Sequence, residues 1–254
     1  MTNINSNKSK VIKMNLEETI YKRQSIRSYE ETPLDDKEIG ELKTFIENTK
    51  ALNDNIQWSY DIVSKDKVRS ILQWRSPQYL LLFSEEKENY RENIGFIFQQ
   101  VDLFLQSKGI GTCWLGMLSP NGKYDKKNDG HKFVIAISVG YPVGEIYRNP
   151  DEFQRKTLTE ITDREDRKLR PLQYAPSATN SQPWYITHNT DGTYNIYREK
   201  LGLIKRNIVG RWNPIDIGIA LAHIYITNRE TFKFTMEDNP MELNNYIYEG
   251  TFEI

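Results

Sequence analysis

Long apolar runs are missing: no stretch of the 254 residues approaches the roughly 18–20 needed to cross a bilayer as a helix. The Asn-, Lys- and Ser-rich start, MTNINSNKSKVIK, also lacks the apolar core of a signal peptide. Cysteine is nearly absent. Cys113 alone cannot close an internal disulfide, which fits a reducing compartment, and it reads as a small buried apolar residue. Excess charge of one sign is lacking too. Thirty-four Lys and Arg stand against 35 Asp and Glu, so no overall field favours nucleic acid or an anionic membrane as a partner. Histidine is scarce, and His131, His188 and His223 have no zinc-like spacing with Cys113 or with carboxylates, so no metal is expected. No Ser-His-Asp set or paired carboxylates stand out, and no residue is assigned as a catalytic acid, base or nucleophile. The expectation is a cytoplasmic protein with a real core, led by a mobile tail over residues 1–13.

The elements that are present come in a suggestive order. Asn15 with Glu18 caps a short helix in which Leu16 and Ile20 share a face, and Asp35 with Glu38 opens a second helix with a stripe of Ile39, Leu42, Phe45 and Ile46. Strands are expected at 57–63 and 78–83. A long helix over 87–108 is apolar on nearly every side and should be buried all round. Glycines then lead into an extended segment at 109–117, and FVIAISVGYP (133–142) has the continuous apolar character of a central strand.

The order then begins again. Thr162 and Glu165 have capping-box spacing before a helical stretch reaching Tyr174, with Pro171 arguing for a kink or a late restart. PWYITHNTDGTYNIY (183–197) reads as a hairpin around Asp191-Gly192. WNPIDIGIALAHIYI (212–226) reads as a second buried helix with Asn213 at the cap, Pro214 in the first turn and Asp216 near the exposed amides. Strands at 232–236 and 246–254 close the chain. A shared word, NIQWSY (55–60) against NSQPWY (180–185), together with the repeated order of elements, suggests internal duplication. The two buried helices would then pack on each other as a spine.

Two runs remain, RQSIR at 23–27 and APSATNSQPW at 175–184. With IDIGIALAH (215–223) and GIGTCWLG (109–116), they make the chain resemble the nitroreductase family of flavoproteins, and most closely its "Putative TM nitroreductase" branch, in which two family halves are fused in one polypeptide. The resemblance implies an α+β, nitroreductase-like fold: mixed or antiparallel sheets flanked by helices, duplicated as a single-chain pseudo-dimer with halves at 14–150 and 151–254. It also implies one FMN per chain, held between the two motifs, because the mirror-image run ALNDNIQWSY has lost the Pro-Ser and Gln-Pro steps.

On that resemblance the cofactor-binding residues are Arg23, Gln24, Ser25, Arg27, Leu115, Gly116, Arg155, Pro176, Ser177, Asn180 and Gln182. Guanidinium groups suit phosphate oxygens, and Ser177 and Asn180 can hydrogen-bond flavin carbonyls, ring nitrogens or ribityl hydroxyls. The blander alternatives are solvated surface arginines, ordinary loop polar residues, and glycines that merely end a helix. His223 reads as a hydrogen-bonded core residue, and Trp184 and Tyr185 as core aromatics beneath the loop. The implied function is ping-pong transfer from NAD(P)H through the flavin to a small acceptor such as a nitroaromatic, a quinone or a free flavin. The alternatives are reductive dehalogenation, oxidative breakdown of the flavin, or a pseudo-dimer that binds FMN, or no flavin at all, without catalysis. A functional monomer is expected, since the internal interface replaces the subunit contact.

Overall fold

The computed structural model describes residues 15–71, 75–122, 130–202 and 210–254. The tail expected over 1–13 lies outside the described residues. Helix α1 (Leu16–Ile20) starts where Asn15 Oδ1 accepts the Glu18 N–H at 2.8 Å, and α2 (Asp36–Glu47) opens with a reciprocal Asp35–Glu38 capping box. Each cap satisfies amides that have no partner inside the first turn. The chain continues through β1 (Trp58–Ser64), β2 (Val68–Ser70), β3 (Gln78–Ser84), α3 (Tyr90–Ser107), β4 (Gly111–Leu115), β5 (Leu118–Pro120) and β6 (Lys132–Gly140). Next come α4 (Leu158–Ile161), α5 (Arg170–Gln173), β7 (Trp184–His188), β8 (Tyr194–Glu199), α6 (Asn213–Thr227), β9 (Lys233–Thr235) and β10 (Tyr246–Glu253). The result is the expected α+β arrangement of antiparallel sheets and helices.

Two four-stranded sheets share one topology. The first runs β1-β3-β6-β4 and the second β7-β8-β10-β9, every pair antiparallel. In each, a long helix follows the second strand and leads into the third, α3 in one and α6 in the other. Each also carries one unpaired extra residue in its last strand, Val134 in β6 and Glu249 in β10, at a bulge. A separate two-stranded ribbon, β2 with β5, was not foreseen. Three residues per strand are too few to reveal a period of two.

The two long helices form the expected spine. Nearly every residue of α3 from Glu92 to Ser107, and of α6 from Ile215 to Ile226, is buried, as sequences with apolar residues on nearly every side require. They touch backbone to backbone. A Cβ added at Gly95 would lie 2.1 Å from Ile215 O, and one added at Gly218 would lie 1.9 Å from Glu92 O. The contact is reciprocal: each glycine sits against the carbonyl three residues before the other. Only glycine permits so close an approach.

Two local readings need correction. Thr162 and Glu165 do not cap a helix; Thr157 and Glu160, with the same spacing, form the capping box of α4. The Thr162 hydroxyl instead donates to Leu158 O and Arg164 O, and its backbone bridges Ile186. Pro171 sits in the first turn of α5, so the late restart is the correct reading of that proline. Asn213 is not a cap either. It is the first residue of α6, buried, with neither side-chain polar atom paired among the described residues.

Candidate functional site

The RQSIR run is an extended strap laid across the end of α3 and the start of β4. The Gln106 side chain clamps it as a neighbouring strand would, accepting from Gln24 N at 3.1 Å and donating to Gln24 O at 2.9 Å, while Ile26 N donates to Thr112 O at 2.9 Å. Arg23 is buried, its Nε 3.1 Å from Asp102 Oδ2. Asp102 also accepts from Gln99 Nε2 at 2.9 Å and from the Thr112 hydroxyl. Gln99 in turn donates to His223 Nε2 at 3.2 Å and accepts from Trp114 Nε1 at 3.1 Å. His223 Nδ1 donates to Pro171 O at 3.2 Å. Burial pushes the imidazole down to about 3, so it stays neutral. His223 is thus the hydrogen-bonded core residue expected of it, and the network fixes the strap to both long helices.

The second motif folds as a tight, strained loop. Thr179, Asn180 and Gln182 take positive φ of 53°, 58° and 46°, a region that costs a non-glycine residue about 1–3 kcal/mol each. Side chains hold it there. Ser177 Oγ accepts from Gln182 N at 2.9 Å, Asp216 Oδ1 from Ala178 N at 3.0 Å, and Asn180 Nδ2 donates to Gln154 O at 2.9 Å. Arg155 donates to Asn180 Oδ1. Gln182 Oε1 accepts from Lys156 N at 2.8 Å, tying the segment that carries Arg155 to the loop.

Strap and loop face each other across a cleft of two joined lobes, both lined by Ser25, Arg27, Pro176, Ser177 and Thr179. One lobe, of about 310 Å³, is walled by β4 (Cys113 to Leu115), Gly116, Trp212 and the α6 residues Ile215, Asp216 and Ile219. The other, of about 610 Å³, is polar and gathers four arginines: Arg23, Arg27, Arg148 and Arg155. Burial, with Arg23 and Arg148 nearby, pushes Arg155 down to about 10. Cationic groups crowded against one another in this way are poised for an anion. On the apolar side, burial raises the Cys113 thiol and the Asp216 carboxyl above their ordinary values.

The expected residues largely converge. Arg23, Gln24, Ser25, Arg27, Arg155, Pro176, Ser177 and Asn180 line the polar lobe, so both motifs reach one cavity; Leu115 and Gly116 line the apolar one. Gln182 lines neither lobe and is buried behind the loop, which makes it a brace rather than part of the wall. Gly109, at φ 85°, ends α3 and is likewise absent from the wall. Gly116 makes room for the Trp212 indole, 2.4 Å from where its Cβ would be. Trp184 is buried and Tyr185 packs on Tyr246, centroids 5.0 Å apart. Among the lining residues that escaped the sequence reading, three stand out. Arg148 lies seven positions before Arg155 with no repeat to mark it, Trp212 precedes a helix, and Asp216 looked like a helix-dipole residue.

No group of three or more His, Cys, Asp or Glu that could hold a metal occurs among the described residues. No helix among them is long and apolar enough to cross a membrane.

Comparison with known proteins follows the same lines. The "putative nitroreductase" of Thermotoga maritima MSB8 is 24% identical over 94% of this chain and 93% of its own, with a TM-score of 0.64, which establishes the shared fold. A nitroreductase family protein of Clostridium difficile 630 is 14% identical over 58% of this chain and 96% of its own, at 0.48. An FMN-dependent nitroreductase of Clostridium difficile R20291 is 16% identical over 54% and 93%, at 0.42. The comparison with curated proteins gives no match. A family model described as "Putative TM nitroreductase" matches residues 15–228. The chain belongs to that nitroreductase family.

Proposed function

We propose that this protein is an FMN-dependent NAD(P)H oxidoreductase acting on a small electron-poor acceptor by a ping-pong cycle. The carrying observation is the pairing of an apolar lobe with an arginine-rich lobe, with Ser25, Arg27, Pro176, Ser177 and Thr179 common to both. An FMN has the same two parts, a planar ring and a phosphate. In this reading Arg27, Arg148 and Arg155 hold the phosphate. Arg23, already paired with Asp102, adds its field rather than a free fork. Ser25, Ser177 and Asn180 meet the polar chain and ring edge, and Leu115, Gly116 and Trp212 bound the ring. FMN bound there would supply the redox chemistry between NAD(P)H and the acceptor. The chain orients the ring, excludes water from one side and leaves a single cavity for donor and acceptor to use in turn, which is the basis of the ping-pong order.

The same proposal makes the chain an internally duplicated pseudo-dimer, with halves at 14–150 and 151–254, that binds one FMN and works as a cytoplasmic monomer. Its supports are the matching strand orders, the matching bulges and the reciprocal glycine contact.

The test is a visible spectrum of the purified protein, a flavin-to-chain ratio, and anaerobic addition of NADH or NADPH. One flavin per chain that bleaches supports the reductase. A bound flavin that does not bleach reduces the protein to a carrier, and refusal of added FMN removes the proposal.

A further inference from the structure

The reciprocal crossing of the long helices allows residues at the two ends to be matched by counting from Gly95 and Gly218. Two positions before each glycine stand Asn93 and Asp216. They do the same work. Asn93 Oδ1 accepts from Leu52 N at 2.9 Å and Asn53 N at 3.0 Å, in the loop before β1; Asp216 Oδ1 accepts from Ala178 N at 3.0 Å, in the loop before β7. Both side chains are buried. Anchoring the loop therefore needs one amide oxygen and no ionisable group.

At the end that carries the cleft the residue is nevertheless an acid. Its Oδ2 is buried without a hydrogen-bond partner among the described residues, as is Nδ2 of Asn93, but of the two residues it is Asp216 that lines the cleft, in its apolar lobe. Among the described residues no cation sits on the Asp216 carboxyl, the titratable groups lining the lobe beside it are Arg27 on the strap and Cys113 on β4, and its one polar contact is the Ala178 amide. A carboxylate so placed would be strongly disfavoured, and burial accordingly drives this carboxyl well above the ordinary acid range. A buried O–H without an acceptor is itself costly unless a ligand supplies one.

We propose that Asp216 is a ligand-binding residue of the apolar lobe: its Oδ2–H donates a hydrogen bond to a carbonyl oxygen or unprotonated ring nitrogen at the edge of a planar heteroaromatic ring seated there. The proposal rests on the flavin reading above, and FMN is the probe. A neutral donor at this point selects acceptor edges over donor edges and over anions, so the phosphate is directed to the arginine lobe and the ring to this one.

The test pairs FMN titrations, followed by flavin fluorescence across pH, with infrared spectra of the same proteins. Asp216→Asn keeps both the loop anchor and a neutral donor, as Asn93 demonstrates for the anchor. The second acid of the lobe is removed by Cys113→Ala in both backgrounds. The expected result is similar affinity for the two proteins at low pH. Above the carboxyl's own pKa, affinity then falls about tenfold per pH unit in the Asp216 protein and stays flat in Asp216→Asn. A protonated-carboxyl stretch that shifts on FMN binding and vanishes in Asp216→Asn is expected alongside. Superimposable pH profiles, or FMN binding without a shifted carboxyl band, overturn the inference and leave the proposed function standing. If FMN binds neither protein, the proposed function falls and the inference falls with it.

Discussion

The two ends of the α3/α6 pair have the same frame and opposite contents. At one end, Ile215 and Ile219 look into the apolar lobe. At the other, their counterparts three before and one after the glycine are Glu92 and Phe96, and the space is filled. Phe96 stacks on Phe232 with centroids 5.7 Å apart and packs on Tyr225 at 5.3 Å, and Lys50 lies over the Tyr225 ring at 5.4 Å. The bulge residue Glu249 is buried, hydrogen-bonded with Glu92 and paired with Arg198 at 2.7 Å. Burial and the neighbouring Glu92 hold the Glu249 carboxyl above its usual value. Whether such an end becomes a cavity is thus decided by a handful of side chains and not by the backbone. A phenylalanine in place of an isoleucine closes what the fold leaves open.

The largest lesion should strike both ends alike. Gly95→Ala and Gly218→Ala each place a methyl group on a backbone carbonyl of the opposite helix, and each should lower stability by about 3 kcal/mol or more in urea unfolding. Clearly unequal losses would break the matching of the two ends. Ile219→Phe would sharpen it. Copying Phe96 into the open end should fill the apolar lobe and weaken FMN binding roughly 10- to 100-fold in a fluorescence titration, with the fold retained by circular dichroism.

Arg155→Ala tests the polar lobe, with its bond to Asn180 in the loop lost as well. Losing a charged hydrogen bond worth about 1.5–3 kcal/mol should weaken FMN about 10- to 100-fold and leave riboflavin, which has no phosphate, nearly unchanged. The remaining tests use pH. His223 is held neutral, from 6.5 down to about 3, so the unfolded chain takes up a proton that the folded one refuses. Stability should be lost as pH falls below about 6.5, and His223→Gln should flatten that limb. Glu249 has the opposite sign. Its carboxyl is raised from 4.5, so the stability it contributes is complete below that value and is lost as pH rises through the higher folded value. Glu249→Gln should flatten the rising side, read from urea midpoints across pH.

Local chemistry made much of this legible. Asn15 with Glu18 and Asp35 with Glu38 announced α1 and α2, because a cap is written in four adjacent residues. The long helices were legible because no polar face was left to turn outward. The capping box was placed at Thr162 with Glu165, and the one of identical spacing at Thr157 with Glu160 was overlooked; Thr162 is instead bridged to Ile186, a partner in another element. Arg148 and Trp212 were missed for the same reason: each joins the cleft through folding and carries no motif. Gln182 was over-read, because a motif residue that braces a loop looks, in sequence, like one that lines a wall. Asp216 was visible as a charge at a helix start, and its meaning came only with the missing partner on Oδ2.

The crossing at Gly95 and Gly218 also bears on stoichiometry. The two long helices meet there backbone against backbone, so neither is buried without the other. The covalent connection therefore adds little to packing. What it guarantees is that each α3 meets the α6 of its own chain at the high effective concentration of a tether.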